Sequence, residues 1–97
     1  MTTPLHTTVH CRRCDASFPL PELADTERDR VASAVRDGQH IQAIQLLRQF
    51  AGFDLRDGKA VEMHITRTRG VCVRCRGPLL TSGQTECPKC GSLNFDW

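Results

Sequence analysis

Three Cys-x-x-Cys units, Cys11-Arg-Arg-Cys14, Cys72-Val-Arg-Cys75 and Cys87-Pro-Lys-Cys90, constrain this chain more than any other feature, because they dictate where its thiols must cluster. With 97 residues, one Trp, four Phe and no Tyr, the chain can bury only a small core. Domains of that size are marginal without a staple, and the cysteines are the obvious one. No run approaches the roughly 20 apolar residues that a membrane-spanning helix needs. Residues 1–10 carry neither the cationic nor the apolar segment of an export signal. The expectation is a cytoplasmic chain with no membrane association, in a reducing compartment where clustered cysteines act as metal ligands or redox thiols before structural disulfides.

The two carboxyl-terminal units form the specific signal, Cys72-x2-Cys75-x11-Cys87-x2-Cys90. A two-residue spacer lets both thiolates point at one metal while N–H groups of the turn hydrogen-bond to the sulfurs, and two such knuckles complete a tetrahedral site. Gly77 and Gly91 follow their knuckles closely, where a tight turn calls for positive φ, and Pro88 stiffens the second. Residues 71–95 resemble the short zinc ribbon family, in which two knuckles on β-hairpins clamp one Zn2+. The resemblance implies structural zinc held by Cys72, Cys75, Cys87 and Cys90. A closed site of four cysteines has no open position for water and therefore no Lewis-acid chemistry. Zinc binding on the order of 10–16 kcal/mol can replace a missing core. The ribbon, with few core residues beyond Val71, Val73, Leu79, Leu80, Leu93 and Phe95, is thus expected to depend on metal while the helices do not.

Cys11 and Cys14 leave four readings open. They bind a second metal with His6 or His10, with or without His64, share zinc with a second chain, stand free, or replace one carboxyl-terminal knuckle in a ribbon into which the helices are inserted; His40 and His64 are themselves read first as solvated or core imidazoles. Their unit is knuckle-like, since Phe18 lies four residues after Cys14 as Leu79 does after Cys75. A dithiol redox reading ranks last for function, because such motifs open a helix inside a βαβ fold that lowers a thiol pKa, and residues 1–20 show no such alternation. Hydrolytic and phosphoryl-transfer chemistry has no candidate residues in the motifs present, so a non-enzymatic chain is expected.

Between Pro21 and Thr66 the periodicity is helical. Val31, Ala34 and Val35 are spaced i, i+3, i+4, and Ile41, Ile44 and Leu47 follow in steps of three, flanked by Ala43 and Phe50. Thr26 and Asp29 make a capping-box-like start, and Gly38 and Gly52 stand where glycines end helices. Asp54 can cap a third helix from Leu55, assigned through about Met63 against a competing strand-like alternation of Val61, Met63 and Ile65. Residues 39–61 resemble the helix-turn-helix of the bacterial ribosomal stalk protein's C-terminal domain, with Ile41, Ile44, Leu47, Arg48, Gly52, Leu55, Lys59 and Val61 on matching positions. His40 and Gln45 stand where that family has lysines, and Gly58 where it has an alanine. In the family this hairpin is the face that translational GTPases touch, and the resemblance implies Ile44, Arg48, Arg56 and Lys59 as partner-binding residues here.

Charge is unevenly spread. Residues 21–66 sum to −2 and residues 67–97 to +3, with Arg67, Arg69, Arg74 and Arg76 grouped around the first ribbon knuckle. Those arginines are the candidates for RNA or other nucleic-acid contact through phosphates, although only Phe95 and Trp97 lie near enough in sequence to stack on bases. The sequence reading is therefore a small α+β protein with three parts. Residues 1–20 form a CxxC knuckle segment, 21–66 a helical hairpin or three-helix element, and 67–97 a four-cysteine zinc ribbon. Its expected function is non-enzymatic interaction with a protein partner through the helical face, with nucleic-acid binding through the ribbon as the alternative.

Overall fold

A computed structural model describes residues 7–97. Strands β1 (Thr8–Cys11) and β2 (Ala16–Pro19) make an antiparallel hairpin with Val9 opposite Phe18 and Cys11 opposite Ala16, so the first knuckle forms its turn. Helices α1 (Asp25–Arg36), α2 (His40–Ala51) and α3 (Leu55–Met63) follow. A knuckle-bearing loop then leads to a second antiparallel hairpin, β3 (Gly83–Glu86) with β4 (Leu93–Asp96). Among the described residues, three helices and two small two-stranded sheets place the chain in the expected α+β class.

The helices form where the apolar spacing puts them, with instructive differences at residue level. The start of α1 lies at Ala24 rather than Thr26, and Glu27 reaches back to accept the Ala24 N–H at 2.9 Å. Asp54 caps α3 as expected, its carboxylate accepting the Asp57 N–H at 2.8 Å. Helix α2 is rotated from the expected stripe: Ala43, Leu46 and Leu47 face the core, Ile44 is half-buried, and Ile41 is 75% exposed. Helix α3 resolves the helix-or-strand ambiguity through burial of Gly58, Val61 and Glu62 on one face, a helical and not an alternating pattern. At Gly58 the two helices come so close that an added Cβ would lie 3.2 Å from Ile44 Cγ2.

The core runs through all three segments. Val9, Cys11 and Phe18 from the first hairpin, Val31, Val35, Leu47 and Val61 from the helices, and Leu93, Phe95 and Trp97 from the carboxyl end belong to one cluster. Strand β4 is fastened to the end of α3 by backbone bonds: Phe95 N–H donates to His64 O at 2.8 Å, and Thr66 N–H donates to Phe95 O at 3.1 Å. Arg36 donates to the Trp97 carbonyl at 2.6 Å, and Asp96 accepts from Thr66 Oγ1 at 2.8 Å and from Gly70 N–H at 2.9 Å. Of the residues expected to fill a ribbon core, only Leu93 and Phe95 are in the cluster, while Leu80 is 79% exposed. Those two work in the main core instead, which is what joins the ribbon to the helices.

Candidate metal centres

The four carboxyl-terminal cysteines converge. Cys72 and Cys75 sit on the loop after α3, Cys87 and Cys90 on the turn between β3 and β4, and their sulfurs all lie within 4.8 Å of one another. Cys72 Sγ is 3.7 Å from Cys90 Sγ, and Cys75 Sγ is 3.5 Å from Cys87 Sγ. With zinc–sulfur bonds of about 2.3 Å, a regular tetrahedron has sulfur–sulfur edges of about 3.8 Å. The spacing therefore suits four thiolates around one ion and is far beyond the roughly 2.05 Å of a disulfide.

The local backbone explains why the sulfurs gather. Arg74 N–H donates to Cys72 Sγ and Gly77 N–H to Cys75 Sγ, both at 3.4 Å, the bonds that a two-residue spacer permits. The buried Asn94 side chain donates to Cys72 Sγ at 3.5 Å while its Oδ1 accepts the Val73 N–H at 2.8 Å. Positive φ falls on the residue directly after each second cysteine: Asp15 at 51°, Arg76 at 62° and Gly91 at 79°. That corrects the expectation for Gly77, whose lack of a side chain serves another purpose. A Cβ there would lie 3.0 Å from Lys89 Cδ and 3.3 Å from Cys75 Sγ.

Electrostatics in the cluster favour a cation. Burial pushes the Cys72 thiol up, but N–H donation from Cys75 and Arg74 and from the Asn94 amide outweighs it and brings the pKa down to about 6. Cys90 moves the other way, to about 12, because burial and its sulfur neighbours oppose a further negative charge. One thiolate is thus readily formed, and the last requires a positive ion beside it.

A second group forms away from the ribbon knuckles. Cys11, Cys14 and His64 place their ligand atoms within 4.8 Å of one another, with Cys14 Sγ 3.4 Å from His64 Nε2. This arrangement excludes the reading in which Cys11 and Cys14 replace a ribbon knuckle, since all four ribbon cysteines are already together. Of the histidines considered for this site, His64 is present and buried, His10 instead contacts Ser17 and Asp15, and His6 lies outside the described residues. Burial raises Cys11, yet N–H donation from Leu93 and Cys14 outweighs it and lowers the thiol to about 6. Burial and the neighbouring Cys11 sulfur raise Cys14, with Arg74 acting against them.

The partner-binding candidates divide into two pairs. Ile44 and Arg48 meet α3 at Gly58, and Arg56 and Lys59 line a shallow apolar groove with Leu55, Ala60 and Met63. Leu55 and Met63 are each half exposed, at 52% and 51%. Among the nucleic-acid candidates, Arg67 is committed internally, donating to the Glu62 and Ile65 carbonyls at 3.2 and 2.8 Å and pairing with the buried Glu62 carboxylate at 3.3 Å. Arg74 stands beside Cys14, and Arg69 lies near Arg36 and the Asp96 end of β4. Arg76 lines a pocket with Arg67 and Val71.

Comparison with protein-family models, curated proteins and solved structures finds no match. The chemistry of the site therefore follows from its own geometry. Four cysteines positioned for one metal ion are consistent with a zinc ribbon, and no helix among the described residues is long and apolar enough to cross a membrane.

Proposed function

We propose that this chain is a non-enzymatic, cytoplasmic zinc-binding interaction module, with Zn2+ held by Cys72, Cys75, Cys87 and Cys90 and a protein partner engaged through the exposed face of the helical hairpin. The observation that carries the metal half is the four-sulfur cluster with edges of 3.5 and 3.7 Å. Zinc fits the donor set because it accepts four thiolates in a tetrahedron without redox chemistry, and a filled shell of four cysteines leaves no place for substrate.

The partner half rests on the groove of Leu55, Ala60 and Met63 flanked by Arg56 and Lys59. Protein interfaces combine an apolar centre with arginine at its margin, whereas sequence-independent nucleic-acid binding needs mainly accessible positive charge. The internal bonds of Arg67 draw charge away from the ribbon surface and so support the protein reading over the nucleic-acid one. The likeness to the stalk-protein hairpin makes a translational GTPase one candidate partner, on the strength of Ile44, Arg48, Arg56 and Lys59 alone.

Affinity capture with the full chain, with and without nuclease, tests this reading. The expected result is a captured protein that survives nuclease and is lost with Arg56→Glu, Lys59→Glu at unchanged zinc content. Captured material that disappears with nuclease, falls steeply with salt and depends on Arg74 and Arg76 would replace it with the nucleic-acid reading.

A further inference from the structure

We propose that Cys11, Cys14 and His64 form a second zinc site, a set of two thiolates and one imidazole separate from the ribbon centre, with no further His, Cys, Asp or Glu among the described residues grouped at its fourth tetrahedral position. The three ligand atoms lie within 4.8 Å of one another, although His64 is 50 residues from Cys14 in sequence. With zinc–sulfur and zinc–nitrogen bonds of about 2.3 and 2.05 Å, the sulfur–nitrogen edge of a tetrahedron is about 3.6 Å. The observed Cys14 Sγ to His64 Nε2 separation is 3.4 Å.

The imidazole is oriented for the purpose. His64 Nδ1 lies 2.6 Å from the Ala60 carbonyl oxygen, which can only accept, so in the neutral ring Nδ1 carries the proton and Nε2 presents its lone pair to the thiols. A backbone carbonyl on the far nitrogen is the usual device that fixes a ligating histidine. Position is fixed too: His64 is 3% exposed and its ring stacks near Phe18, with centroids 4.8 Å apart.

The thiols are presented as those of the ribbon are. Asp15 follows Cys14 in the left-handed region, at φ 51°, matching Arg76 after Cys75 and Gly91 after Cys90. Cys11 Sγ accepts the Leu93 N–H at 3.4 Å, while Asn94, the next residue, donates to Cys72 Sγ. Neighbouring residues of β4 thus support one sulfur in each cluster, and the Arg12–Glu86 ion pair at 2.6 Å ties the first knuckle to β3.

Native mass spectrometry of the full chain reconstituted with Zn2+ under reducing conditions tests the site, with Co2+ loading as a spectroscopic companion. Two ions per chain are expected. His64→Phe keeps a ring against Phe18 but cannot ligate, and should leave one ion. His64→Cys should restore the second, with stronger thiolate-to-cobalt charge-transfer absorption than the wild type. Cys87→Ser should disturb the other ion, which separates failure at this site from failure at the ribbon. One ion in the wild type, two ions retained in His64→Phe, or one extra ion shared by two chains would overturn the proposal.

Discussion

At the scale of single residues, the thiols carry most of the consequences. Cys72, lowered to about 6, is largely ionised at neutral pH, whereas Cys90, raised to about 12, holds its proton. Zinc binding must therefore expel a proton from Cys90, so apparent affinity rises with pH and drops further below about pH 6, where Cys72 is protonated as well. Competition against a chromophoric chelator between about pH 8 and 5.5 should show affinity falling monotonically as pH is lowered; a flat profile would contradict the assignment. Asn94 is the next residue of interest, because its buried amide donates to Cys72 Sγ and holds the Val73 backbone. Asn94→Ala should weaken zinc affinity about 10–100-fold, as loss of outer-shell support does elsewhere, without changing the number of ligands.

Elements show where pattern reading succeeds and where it stops. Spacing alone is enough for the knuckles, for α1 and α2 and for the Asp54 cap, since each depends on residues close together in sequence, whereas in α3 it also fits a strand until burial of Gly58, Val61 and Glu62 decides. The inward face of α2 was not legible in that way. Ile41, Ile44 and Leu47 and the alternative set Ala43, Leu46 and Leu47 both satisfy helical periodicity, and only packing in the common cluster with Val31, Val35 and Val61 selects the second set. Burying Glu62 was equally unreadable locally, because its partners His40, at 2.6 Å, and Arg67, at 3.3 Å, come from opposite sides of the sequence. Gly58→Leu forces atoms into the α2–α3 contact and should cost about 1–3 kcal/mol in urea unfolding. Gly58→Ala should stay within about 1 kcal/mol of the wild type, because Ile44 Cγ2 can yield and alanine favours the helix.

For the whole molecule, the shared core alters what metal removal should do. The cysteine spacing suggests a ribbon that loses its structure alone, but Phe95 lies 6.2 Å from Phe18 and 5.3 Å from Trp97 by ring centroid and is buried in the same cluster as Val31 and Leu47. Chelation should therefore lower the thermal midpoint of the helical far-UV signal together with the Trp97 fluorescence transition, as one cooperative event. Two separate transitions, with the helical one unmoved, would show that the parts fold independently. Phe95→Ala should destabilise the fold by about 3–5 kcal/mol even with zinc bound. His64 joining Cys11 and Cys14 belongs to this scale as well: no local motif connects them, and only the docking of β4 and α3 against the first hairpin brings the ring to the thiols.

A four-thiolate zinc centre at Cys72, Cys75, Cys87 and Cys90 is tested most directly by zinc-edge X-ray absorption on the Cys11→Ser, Cys14→Ser chain, which isolates the ribbon ion. The expected result is one zinc per chain with four sulfur scatterers at about 2.3 Å and no nitrogen or oxygen in the shell. A shell containing nitrogen or oxygen, or a chain that no longer retains zinc while Cys87→Ser does, would contradict it.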